Sequence, residues 1–132
     1  MNRRQASVLI VEDTVTNQEL VRMVLETSGY AVTIARDGRE MDAALALATP
    51  DCILMDVGLP GEDGLSLTRR LKAGPTTRHI PLLVLTAAAM RGDAERAAAA
   101  GADAYLSKPF APNHLIEVVA QLLASSEGHG AP

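Results

Sequence analysis

Glu12, Asp13, Asp56, Thr86 and Lys108 are the residues of this chain whose types and settings could do chemistry together. Each stands at or just beyond the end of a short apolar run: SVLIV at 7–11, CILM at 52–55, IPLLVL at 80–85 and DAYLS at 103–107. A carboxylate set directly behind four apolar residues, as in CILMD, is costly to bury alone, so it needs a partner. Two carboxylates about 4 Å apart repel by roughly 4 kcal/mol at an effective dielectric of 20. Three brought together call for a cation, and a hard divalent ion with oxygen ligands, Mg²⁺ for preference, answers that need. Lys108 adds an ammonium and Thr86 a hydroxyl. Such a set, grouped around one aspartate, suits a phosphoryl group, whose oxygens must be neutralised from several sides.

What must position these groups is an alternation of two textures. A further run, AVTIA at 31–35, completes five strand candidates, and helical spacing follows each of them. In the first helical stretch Leu20, Val21, Val24 and Leu25 line one side, with Thr16 and Glu19 as a capping box. Asp37 and Glu40 can cap the second, where Met41, Ala44, Leu45 and Ala48 form the apolar stripe. The third runs from Leu65 to Lys72 behind Asp63 or Gly64 and stops at Gly74-Pro75. The fourth, around 93–100, ends at Gly101, and the fifth opens at Pro112 and buries Leu115, Val118, Val119 and Leu122.

Strands that are apolar throughout, alternating with helices, give an α/β domain: a doubly wound parallel sheet of five strands covered on both faces by five helices. Right-handed crossovers put every strand's carboxyl end on one edge, where open α/β sheets bind their ligands. The carboxylates, the hydroxyl and the ammonium therefore converge there. The domain is expected over 6–124, with 125–132 (SSEGHGAP), which has no apolar face, as a flexible C-terminal tail.

Composition narrows the function. A net charge of −4 and 2% aromatic residues argue against direct nucleic-acid binding, which wants basic grooves and stacking rings. The same charge argues against an anionic membrane surface. No apolar run approaches the ~18 residues of a membrane helix. Cys52 is alone, so no internal disulfide can form. His79, His114 and His129 have no ligand-like spacing. The expectation is a cytoplasmic domain.

The motifs VLIVED at 8–13, LMDVGLP at 54–60, LVLTA at 83–87 and YLSKPF at 105–110 together resemble the receiver domain of bacterial two-component response regulators, over about residues 6–124. The resemblance implies strand order 2-1-3-4-5. It implies that Asp56 accepts a phosphoryl group from a histidine kinase or histidine phosphotransfer protein. Glu12, Asp13, Asp56 and the backbone carbonyl of Gly58 would hold Mg²⁺. Lys108, aimed by a cis bond to Pro109, would contact the phosphoryl oxygens. Thr86 would be the switch hydroxyl and Tyr105 the switch aromatic, remodelling the face of the fourth helix, fifth strand and fifth helix toward a downstream protein target. Ala87 is small enough for that rotation. Gly58 and Ala88 lack side chains that could orient water, so side-chain-assisted self-hydrolysis is not expected. With no output domain after residue 124, the signal is expected to leave through protein contacts. The stretches at 12–20 and 85–110 are similar to single-domain regulators of the chemotaxis and DivK types and to receivers of hybrid kinases.

Two other readings compete. An aspartate-nucleophile phosphohydrolase would want a second carboxylate two residues after Asp56 as general acid, and Gly58 stands there. A receiver-like module that binds partners without phosphorylation would not need Asp56, Thr86 and Lys108 intact. The expectation is therefore a phosphoacceptor signalling domain, not an enzyme.

Overall fold

The apolar runs form five parallel strands in the order β2-β1-β3-β4-β5, the order implied above. They are β1 (Ser7–Val11), β2 (Ala31–Ala35), β3 (Cys52–Asp56), β4 (Leu82–Thr86) and β5 (Ala104–Ser107). The helices between them are α1 (Val15–Thr27), α2 (Gly38–Leu47), α3 (Gly64–Ala73), α4 (Asp93–Ala99) and α5 (Pro112–Gly130). The computed structural model describes residues 5–57, 63–86 and 93–130. Among them no helix is long and apolar enough to cross a membrane.

β3 and β4 are buried at every position, as strands covered on both faces must be. Alternation along them divides the core in two. Leu9, Val11, Ile53, Met55, Leu82 and Val84 face one side, with Met41 of α2, Leu67 and Leu71 of α3 and Ala97 of α4. Val8, Ile10, Leu54, Leu83 and Leu85 face the other, with Val21 and Leu25 of α1 and Leu115 and Val119 of α5. Each fully buried aliphatic side chain contributes roughly 1.5–3 kcal/mol relative to exposure.

Helix starts follow the chemistry of their caps. Asp37 accepts from the Glu40 N–H at 2.9 Å, and the Glu40 carboxylate returns to the Arg36 N–H at 2.8 Å. Asp63 accepts from the N–H groups of Leu65 and Ser66, so α3 begins one residue before the expected Leu65. Gly101, at φ +101°, carries the left-handed turn that stops α4, as a glycine there can without strain. Between α3 and β5, the Lys72 ammonium donates to Asp103 and to the carbonyls of Arg78 and Ile80, and Asp103 also accepts from the Leu82 N–H.

Two expectations differ from the structure. Thr16 and Glu19 do not open α1. The helix starts at Val15 behind Thr14, which makes no side-chain cap, and the Glu12 carboxylate accepts from the Thr14 N–H at 3.1 Å, the place a capping-box carboxylate takes. Leu20 is 53% exposed, since the buried stripe of α1 runs through Gln18, Val21 and Leu25 instead. α5 continues to Gly130, as an established helix extends at one hydrogen bond per added residue even without an apolar face.

Cys52 is fully buried on β3, and burial pushes its thiol up to about 12. At pH 8 it is expected to resist iodoacetamide in the native state and to react once urea unfolds the chain. Intact mass against time checks this, and fast native labelling would contradict the packing. Because the folded thiol titrates later than an unfolded one, its contribution to stability is present below pH ~9 and lost as pH rises toward about 12.

Candidate functional site

The parallel registers decide which residues meet at the carboxyl edge. Val11 lies opposite Met55, and Asp56 opposite Leu85, so Glu12 and Asp13 leave β1 beside the end of β3. Thr86 lies opposite Ser107, and the Lys108 N–H donates to the Thr86 carbonyl at 2.7 Å. Every one of the five residues singled out for chemistry stands on this edge.

One carboxylate oxygen from each of Glu12, Asp13 and Asp56 lies within 4.8 Å of the other two. Glu12 and Asp56 are 2% and 7% exposed, while Asp13 is half-buried. The Lys108 ammonium stands 3.2 Å from Glu12 Oε1 and 3.6 Å from Asp56 Oδ1. Burial is the largest influence on Glu12 and holds its carboxyl above the ordinary carboxylate range. The Asp56 charge pushes the same way, and the Thr14 N–H and the Lys108 ammonium oppose it. One ammonium among three carboxylates leaves an excess of negative charge, and hard oxygen donors at this spacing fit a divalent cation such as Mg²⁺. Glu12, Asp13 and Asp56 are the residues that would hold it. The Gly58 carbonyl, expected as a further ligand, lies outside the described residues, as do Ala87 and Ala88.

Thr86 is buried at the end of β4. Tyr105 lies opposite Val84 on β5, half-buried. Thr86 and Tyr105 share a cavity of about 50 Å³ with Val57, Leu65, Val84 and Arg96. The sequence brought these two residues to the same place through the resemblance alone. The Lys108–Pro109 bond is cis, also as expected.

Two residues at the site were not foreseen in their present roles. The Gln18 side chain reaches back from α1 to the Glu12 carbonyl at 2.7 Å. Gly64 brings the start of α3 against the end of β3, its N–H donating to the Val57 carbonyl at 3.1 Å. A Cβ at Gly64 would fall on the Asp56 carbonyl, with the Asp56 carbonyl carbon and Val57 Cα both 2.9 Å away. Backbone cannot yield there as a flexible side chain would. Gly64→Ala is therefore expected to cost about 3 kcal/mol, the upper part of the usual overpacking range. A urea midpoint unchanged from wild type would show that α3 stands farther from Asp56 than this. A glycine one position after an Asp cap is the signal that could have marked the close approach.

Comparison with known proteins agrees with this geometry. The family model for the response regulator receiver domain matches residues 8–120. The chain is 44% identical over 123 residues to the polar-differentiation response regulator DivK of Brucella anthropi, a match covering 91% of this chain and 98% of that one. Among solved structures it is similar to the receiver domain of a Pseudomonas aeruginosa sensor histidine kinase, which has a magnesium ion coordinated in its active-site cleft. That likeness has a TM-score of 0.83 at 36% identity and covers 92% of this chain and 99% of the other. The chemotaxis response regulator CheY4 of Vibrio cholerae gives a TM-score of 0.83 at 30% identity, covering 90% and 99% of the two chains.

Proposed function

The chain belongs to the response regulator receiver family, and from that premise we propose that Asp56 accepts a phosphoryl group from a histidine of a partner kinase or phosphotransfer protein. The observation that supports this most is the grouping of Asp56 with Glu12, Asp13 and Lys108 at the end of β3. In the transfer, an Asp56 carboxylate oxygen attacks phosphorus and an O–P bond forms. The P–N bond breaks, and the imidazole nitrogen leaves with its electron pair. Lys108, poised between Glu12 and Asp56, donates to an oxygen of the phosphoryl group. A bound Mg²⁺ supplies neutralisation of the remaining phosphoryl charge.

The acyl phosphate is a new anion beside Thr86. Its oxygens draw the Thr86 hydroxyl, and Tyr105, which shares the adjoining cavity, turns into the space vacated. The face of α4, β5 and α5 then presents a different surface to a downstream protein. This is a two-state element biased by a local charge change. The domain so defined spans 6–124, works in the cytoplasm, and acts as a phosphoacceptor rather than as a catalyst on other molecules.

The test is incubation with acetyl phosphate followed by intact-mass measurement. A gain of one phosphoryl group with Mg²⁺, and none with EDTA, is the expected result. No gain under any condition would overturn the reading.

A further inference from the structure

Gln18 takes no part in the transfer described above, yet it is a buried polar side chain, 7% exposed. It lies on the core-facing stripe of α1, where Val21 and Leu25 complete the buried set. An aliphatic side chain would pack there without the desolvation cost of an amide. The Gln18 Nε2 donates to the Glu12 carbonyl at 2.7 Å, while the Glu12 N–H donates to the Ala35 carbonyl at 2.9 Å. Both main-chain polar groups of Glu12 are thus tied. Its carboxylate is tied as well, by the Thr14 N–H at 3.1 Å and the Lys108 ammonium at 3.2 Å. The peptide unit is planar, so the amide that fixes the Glu12 carbonyl also fixes the plane leading into Asp13.

We propose that Gln18 is a positioning residue for the cation site, setting the Glu12–Asp13 peptide so that both carboxylates face Asp56. It acts through the main chain and touches neither cation nor phosphoryl group. The inference rests on the reading of Glu12, Asp13 and Asp56 as cation ligands, and it adds a residue on α1 that determines how well they hold the ion. Partners of this kind, one step behind metal ligands, typically carry a 10- to 100-fold effect on metal affinity.

The test compares wild type with Gln18→Met, which keeps length and removes the donor, by NMR titration with MgCl₂. The Mg²⁺ dissociation constant of the variant is expected to weaken about tenfold. Phosphoryl uptake from acetyl phosphate should fall at low Mg²⁺ and recover at saturating Mg²⁺. A folded variant with wild-type Mg²⁺ affinity overturns the proposal, and so does uptake that stays low at saturating Mg²⁺, which marks a general lesion. Should the variant not fold, the wild-type side-chain amide decides. The two Gln18 N–H resonances are expected to shift along the same Mg²⁺ isotherm as the backbone of Asp13, and unmoved resonances overturn it. Absence of any Mg²⁺ response in the wild type sinks the underlying reading of the site, and this inference with it.

Discussion

Asp56→Ala is expected to abolish phosphoryl uptake completely, from acetyl phosphate and from a phosphorylated histidine phosphotransfer protein alike. The reason is geometric. Among the three clustered carboxylates, Glu12 has both oxygens engaged, one by the Thr14 N–H and one by Lys108. Asp13 lies past the end of β1, in the loop before α1, while the Lys108 ammonium stands on Glu12 and Asp56. Neither is placed to replace a nucleophile removed from β3. Loss of one carboxylate also lowers the repulsion within the cluster, so the folded state should not suffer. Separation of phosphorylated from unmodified chain on a phosphate-affinity gel checks the first point, and urea unfolding the second. Retained uptake in a folded Asp56→Ala protein would move the nucleophile to another residue.

Removing the Lys108 ammonium should produce a loss of stability matched at the site by that of Gly64→Ala. Glu12 is 2% exposed, and Lys108 is the cation that stands on its carboxylate. Truncating one member of a buried ion pair leaves the other charge uncompensated, which typically costs 3–5 kcal/mol. Lys108 is itself 19% exposed, so the lower end of that range applies, and Lys108→Ala is expected to cost about 3 kcal/mol in Mg²⁺-free buffer. That is a large share of a domain's usual margin of about 5–15 kcal/mol. Added Mg²⁺ should return part of it, because a cation bound only by the folded state stabilises by mass action. Urea denaturation with EDTA and with MgCl₂ reads both terms. Equal midpoints for variant and wild type in EDTA would show that the pair contributes nothing to folding.

The parts of this molecule that were readable from sequence are those whose signal is local or periodic. CILMD and LLVLT are apolar without alternation, which only strands buried on both faces require, and β3 and β4 are buried throughout. The convergence of Glu12, Asp13, Asp56, Thr86 and Lys108 followed from crossover handedness, a rule that needs no side-chain detail. The start of α1 was misread because Thr16-x-x-Glu19 has the spacing of a capping box, whereas a carboxylate from outside the helix, Glu12, had already taken the Thr14 N–H. Leu20 was placed inside on the same account. Its hydrophobicity fits the stripe, but the stripe's buried position belongs to Gln18, whose amide is satisfied by a carbonyl six residues back. The glycine after the Asp63 cap hints at a close approach, but nothing in GEDGL states that the backbone it meets is that of Asp56. The pairing of Tyr105 with Thr86 needed the family resemblance, because neighbouring strands bring them to one cavity and no spacing in the chain records it.

The central claim is that the Asp56 carboxylate itself becomes the acyl phosphate. Borohydride reduction of the phosphorylated chain, followed by peptide mapping, tests it most directly. Homoserine in place of Asp56 and nowhere else is the predicted result. Homoserine at position 13, or a stable phosphoryl group on a hydroxyl or histidine with position 56 unaltered, would contradict it.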